Sequence, residues 1–148
     1  MLSKLKILFL CTGNSCRSQM AEGWTRHLKP DSIEPHSAGV VPSRLDPRAV
    51  QVMAEAGVDI SGQRSKPVGE VLGIDLDCVV TVCDEASENC PVFPGKVVVR
   101  HVGFADPPRL ARDASSEQEA LSAYRRVRDE IREFVETLPD SLLNEGTA

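Results

Sequence analysis

The chain has 148 residues, of which 41% are apolar and 26% charged, and its formal net charge is −5. That length and balance suit one soluble domain with a single core, and the acidic excess argues against nucleic acid or an anionic membrane as partner, since both call for a basic face. No apolar run approaches the ~20 residues of a membrane span, and no signal-peptide core precedes a cleavage site, so the expectation is a cytoplasmic monomer with one domain over residues 1–148 and a tail frayed from residue 140 onward.

In chain order, LKILFL at residues 5 to 10 is a short apolar run without polar alternation, the pattern of a strand buried on both faces. IEPHSAG at 33 to 39 is a weaker strand candidate, suited to an edge because Pro35 cannot donate to a ladder. In LDPRAVQVMAEAG, Asp46 is a good helix N-cap and Pro47 fits the first helical position. Ala49, Val50, Met53 and Ala54 then form an apolar face, and Gly57 suits the stop. DCVVTVC at 77 to 83 is a second buried strand and KVVV at 96 to 99 a shorter one. The last helix opens with Ser116 and Glu119 as a capping box. Leu121, Tyr124, Val127, Ile131, Phe134 and Leu138 give it one apolar stripe, until Pro139 ends it. Strands alternating with helices predict an α/β fold, a three-layer sandwich with a central four-stranded parallel sheet and helices on both faces. Ligands of such sheets bind beyond the carboxyl ends of strands.

CTGNSCRSQMAEGW, residues 11 to 24, begins at one such end. Small residues let the backbone of Thr12, Gly13, Asn14, Ser15 and Cys16 curl so that N–H groups converge, and the helix that follows adds its positive end, which together suit a tetrahedral oxyanion. Arg17 supplies a full charge and a planar fork of donors. The same field lowers the pKa of Cys11 and makes it a nucleophilic thiolate. Ser18 is placed to hydrogen-bond that thiolate, Asn14 to brace the loop, and Cys16 takes a packing or accessory role. Cys78 reads as core, and Trp24 as packing. A zinc site of Cys11, Cys16, Cys83 and Cys90 is a competing reading, though neither spacing is the short Cys-x2-Cys knuckle.

Cys-x5-Arg-Ser, with SAG at 37 to 39, DPRAVQVMAEAGVDISGQRSK at 46 to 66 and Asp106-Pro107, resembles the low-molecular-weight protein tyrosine phosphatase superfamily over nearly the whole chain. The resemblance implies that Asp106 is the general acid that protonates the leaving oxygen. TVCDEASENCP at 81 to 91, and Gln19 where the phosphatases usually have proline, resemble the thioredoxin-coupled arsenate reductase branch. That branch implies a relay: Cys11 attacks arsenate, Cys83 attacks Cys11 and releases arsenite, and Cys90 attacks Cys83 to leave a disulfide for thioredoxin. Phosphate and sulfate would compete as anions, and no cofactor would be bound. Two other activities fit the same loop: a phosphatase clearing phosphocysteine with water, and a non-catalytic oxyanion or redox sensor.

Were residues 84 to 90 helical, Cys83 and Cys90 would stand roughly 10 Å apart along the axis at ~1.5 Å per residue, beyond the 4.4–6.8 Å that a disulfide tolerates. The segment must therefore unwind to oxidise. Its acidic residues without hydrophobic anchors, and Pro91, make that unwinding easy. Some members of the branch bind potassium through residues corresponding to Asn14, Glu22, Ser37 and an aspartate, and Lys66 stands at the aspartate's position. The implied outcome is an ammonium in the cation's place and no bound metal. The branch also commonly has tryptophan where this chain has Val102.

Overall fold

Four strands, β1 (Leu5–Cys11), β2 (Ile33–Gly39), β3 (Cys78–Thr81) and β4 (Val98–His101), form one parallel sheet in the order β2-β1-β3-β4. The computed structural model describes residues 4–143. Helices α1 (Arg17–Leu28), α2 (Pro47–Glu55), α3 (Asp84–Glu88), α4 (Pro107–Leu110), α5 (Glu117–Glu136) and α6 (Asp140–Leu143) join and cover the strands, with a 3-10 turn at Val68–Glu70. Consecutive residues Ile7, Leu8, Phe9 and Leu10 are all fully buried, so the central strand β1 is covered on both faces. Each such side chain contributes roughly 1.5–3 kcal/mol of burial. This makes β1 a rigid platform for whatever follows Cys11.

Pro35 lies on the edge strand β2, where its missing N–H costs no ladder bond. β4 begins two residues later than KVVV predicts, because its register is set by β3, with Cys78 opposite Val98 and Thr81 opposite His101. As an edge strand it alternates half-buried with exposed positions, so Arg100 and His101 fit a ladder that the apolar run alone does not announce. β3 is confined to Cys78–Thr81, and Val82, which leaves the strand register, still donates to the Leu10 carbonyl at 2.9 Å.

Asp46 caps α2 through Oδ1, which accepts the Arg48 amide at 2.9 Å, and Pro47 takes the first turn. The buried face of α2 is Ala49, Val52 and Met53, not Ala49, Val50, Met53 and Ala54: both sets have helical spacing, and packing against α5 selects the former and leaves Ala54 exposed. The α5 cap is also modified. Ser116 Oγ accepts the Glu119 amide at 3.1 Å, but the Glu119 carboxylate returns to the amide of Ser115, not Ser116, at 2.9 Å. Trp24 is buried between α1 and α5, its Nε1 donating to the Arg128 carbonyl at 3.1 Å. Residues 140 to 143, expected to fray, form α6 and bury Leu142. Residues 144 to 148 of the expected tail lie outside the described residues. Among the described residues no helix is long and apolar enough to cross a membrane.

Candidate active site

Between β1 and α1 the backbone turns its carbonyls outward. The Cys11 and Thr12 carbonyls accept the amides of Val40 and Val41 at 3.1 and 2.8 Å, and Gly13 accepts the Ser43 amide at 3.0 Å and Ser65 Oγ at 2.8 Å. Asn14 accepts Gln19 Nε2 at 2.9 Å, Ser15 the Asp46 amide at 3.0 Å, and Cys16 the Met20 amide at 2.9 Å. The N–H and C=O of one planar peptide unit point in opposite directions, so carbonyls fixed outside leave the amides of residues 12 to 17 facing the hollow. The result is a concave set of donors at a helix N-terminus, the geometry a tetrahedral oxyanion requires.

Asn14 makes the tightest bend, with φ of 48°, and is fully buried. Its side chain donates to Ser18 Oγ at 2.8 Å and accepts the Lys66 amide at 2.9 Å, so the left-handed residue is tied from both sides. Gly39 lies against it: a Cβ there would stand 2.7 Å from the Thr12 carbonyl and 2.9 Å from the Asn14 amide. Gln19, fully buried, joins the cradle to the loop at 63 to 66. Its Nε2 reaches both the Asn14 and the Arg64 carbonyls at 2.9 Å, and its Oε1 accepts Gln63 Nε2 at 2.7 Å.

Cys11 is 4% exposed at the floor of the hollow and is held well below the ordinary thiol range. The chief cause is a hydrogen bond from the Cys83 thiol, followed by Ser18 and Arg17; burial opposes them and loses. Cys83 is correspondingly pushed up, because it donates to Cys11 and because it is buried. Its sulfur lies 3.3 Å from Thr12 Oγ1 and also takes the Ala86 amide of α3. The structure therefore brings two predicted thiols of distant sequence to the same loop, close enough for each to shift the other's pKa. Cys90, half-buried beyond α3, is raised by burial, and all five cysteines are free thiols. Cys78 is 2% exposed and pushed up to about 11 by burial, as befits a core residue.

Arg17 Nη1 donates to the Phe104 carbonyl at 2.9 Å, and Nη2 stands 3.7 Å from Asp106 Oδ1. Asp106 occupies the N-cap position of α4 but makes no side-chain cap bond, and its contact with Arg17 sets it beside the loop. Val102 is half-buried on the way from β4 to Asp106.

The α3 segment differs from the sequence reading in two ways. The helix stops at Glu88, and it does have anchors: Ala86 is fully buried, and Asp84 Oδ1 lies 3.1 Å from His101 Nε2, whose Nδ1 lies 2.9 Å from Thr81 Oγ1. Beside the cradle, Lys66 Nζ is 3.4 Å from Ser37 Oγ, 3.3 Å from the Arg64 carbonyl and 3.7 Å from Glu22 Oε1. Ser37 Oγ donates to the same Glu22 oxygen at 2.5 Å. Asn14 serves the Lys66 amide and not its ammonium, whose pKa burial lowers while Glu22 opposes that shift. Among the described residues no group of three or more His, Cys, Asp or Glu side chains is placed to hold a metal ion.

A parallel sheet that ends in an oxyanion cradle floored by a thiolate defines a cysteine-nucleophile protein of the phosphatase type. The chain belongs to the low molecular weight phosphotyrosine protein phosphatase family, with a match spanning residues 6–148. Within that family it is similar in sequence to reductases. It is 46% identical over 135 residues to the arsenate reductase of Bacillus subtilis (strain 168), covering 88% of this chain and 95% of that protein. It also resembles an arsenate reductase in its phosphate-binding state, with a TM-score of 0.72 and 34% identity, and one in the oxidized state, with 0.73 and 35%. Both alignments cover 93% of this chain and 98% of the other.

Proposed function

We propose that this protein reduces arsenate to arsenite with three of its thiols. The observation that carries the reading is the buried Cys83 thiol beside the cradle, its sulfur 3.3 Å from Thr12 Oγ1 in the loop that holds Cys11, an arrangement that hydrolysis of a phosphocysteine does not require. Similarity to arsenate reductases over most of the chain supports it.

Arsenate binds to the loop amides and Arg17. The Cys11 thiolate forms a bond to arsenic, Asp106 gives its proton to the departing oxygen, and water leaves. Once Cys11 carries arsenic it no longer accepts from Cys83, which is then free to ionise. The Cys83 thiolate attacks the Cys11 sulfur, the sulfur–arsenic bond breaks, and the electron pair leaves with arsenic as arsenite. Two thiol sulfurs are oxidised by two electrons in total, and As(V) becomes As(III). Cys90 then attacks Cys83 and releases Cys11 as thiolate. For this last step α3, which lies between Cys83 and Cys90 in the chain, unwinds to bring the two sulfurs together. Its five residues and single buried side chain, Ala86, among those described oppose unwinding weakly.

The remaining disulfide is reduced by thioredoxin acting from outside, with no bound cofactor, and five free thiols suit the reducing cytoplasm. Phosphate and sulfate compete for the cradle. The Lys66 ammonium takes the place of a potassium ion beside Glu22 and Ser37.

The test is a disulfide map. Reduced protein is given arsenate, free thiols are alkylated, bridged peptides are identified by mass spectrometry, and arsenite is counted. One Cys83–Cys90 bridge per arsenite is expected. Free thiols together with rapid aryl phosphate hydrolysis would make the protein a phosphatase, and anion binding with neither product would make it a sensor.

A further inference from the structure

Of the six carbonyls turned outward from residue 11 to residue 16, five accept backbone amides. The sixth, that of Asn14, accepts only Gln19 Nε2 among the described residues, at 2.9 Å. The peptide it belongs to carries the Ser15 N–H on its opposite side, so the direction of that one cradle donor depends on a side chain. Asn14 is also the residue with φ of 48°, a conformation that a non-glycine keeps only where its surroundings over-determine it. Asn14 and Gln19 are both fully buried, so a carbonyl deprived of this donor is deprived of solvent as well.

Gln19 is oriented in turn by what an amide can and cannot do. A primary amide has two hydrogens on nitrogen and none on oxygen, and a guanidinium only donates. Gln63 therefore turns Oε1 toward Arg26 Nη1, 3.0 Å away, and Nε2 toward Gln19. Its two hydrogens go to Gln19 Oε1 at 2.7 Å and to the Gln19 carbonyl at 3.0 Å. That leaves Gln19 Nε2 facing two carbonyls, of Asn14 and Arg64, each at 2.9 Å, which use both of its hydrogens. Arg26 is itself anchored, with Nη2 2.6 Å from Glu22 Oε2. The run from Arg26 through Gln63 and Gln19 to Asn14 points one way, because reversing either amide would set donor against donor and oxygen against oxygen.

We propose that Gln19 is a positioning residue for oxyanion binding: oriented by Gln63 and Arg26, it holds the Asn14–Ser15 peptide so that the Ser15 N–H points at the anion. A cradle aimed in advance spares arsenate the cost of turning the backbone as it binds. Arg17 supplies charge and the Asn14 side chain ties the bend to Ser18 and Lys66, whereas Gln19 sets the direction of one peptide. The role rests on the oxyanion reading of the loop given above.

Two variants of the full chain test it, with inorganic phosphate as the probe. Gln19→Met keeps an unbranched side chain of similar size and removes the donor. Gln63→Leu leaves Gln19 in place and removes what orients it. Phosphate affinity, read from protection of Cys11 against alkylation, should fall about tenfold or more in Gln19→Met, the contribution of one hydrogen bond to a charged group, and by less in Gln63→Leu. In 15N-labelled protein the phosphate-induced shift of the Ser15 amide should shrink in both variants while those of Thr12, Gly13 and Arg17 persist. Unchanged affinity, or a Ser15 shift of wild-type size, overturns the proposal. So does an equal loss at all the cradle amides, which would mark a loosened loop. A wild type whose cradle amides all ignore phosphate would refute the oxyanion reading itself, and this role with it, whereas phosphate binding without the Gln19 effect refutes the role alone.

Discussion

The oxyanion cradle and the Cys83–Cys90 segment lie side by side and are built on opposite terms. Every carbonyl from residue 11 to 16 is held by a donor outside the hollow, and the bend at Asn14 is tied to Ser18 and Lys66. α3 has five residues, one buried alanine among those described and an exposed His101–Asp84 contact. Exposed pairs of that kind contribute at most ~1 kcal/mol. The contrast suits the division of labour that the proposed relay requires: binding and the first bond need a hollow that does not move, and passing oxidation outward needs a segment that does.

The largest effects should come from breaking the moving side. Cys90→Ser should abolish multiple turnover with a thiol reductant while still releasing one arsenite per chain, read by arsenite counting; sustained turnover would remove Cys90 from the relay. On the fixed side, Asp106→Asn should lower kcat by about 10²–10⁴-fold, the usual worth of a positioned general acid, with little change in KM. Gly39→Ala forces a methyl against the Thr12 carbonyl, and overpacking of this kind costs roughly 1–3 kcal/mol. Weakened phosphate inhibition and a lowered melting temperature should follow together.

Two smaller readouts sharpen the same contrast. Cys11 is held well below the ordinary thiol range, so its alkylation rate should persist as pH falls through ~8.5. A tenfold loss per pH unit below ~8.5 would mean an ordinary thiol. Replacing sodium with potassium should leave turnover unchanged, since Lys66 already places an ammonium near Ser37 and Glu22. A several-fold rise would contradict that assignment.

The fixed side was the more legible in sequence. Cys11, Asn14, Arg17 and Ser18 are close neighbours, and a strand that runs directly into small residues and a helix states its chemistry locally. What was not legible depends on contacts between distant residues. Asp46 reads correctly as a cap, but its bond to Tyr124, 78 positions away, arises only when α2 packs on α5. The same packing chose Val52 over Ala54, which helical spacing alone had placed on the apolar face. His101 carries no sequence signal because β4 is an edge strand whose register comes from β3, so no apolar pattern marks its end. Asp106 illustrates the limit from the other side: Asp-Pro is a common turn, so in the sequence only the resemblance singles it out, and its place beside Arg17 comes from the fold.

The central claim is that oxidation refolds one region and spares its neighbour. Hydrogen exchange on the reduced protein and on the protein oxidised by arsenate measures both at once. The account predicts that residues 84 to 95 lose protection on oxidation while the amides of residues 11 to 17 keep theirs. Equal protection of 84 to 95 in the two states, with a Cys83–Cys90 bridge confirmed in the oxidised sample, would contradict it.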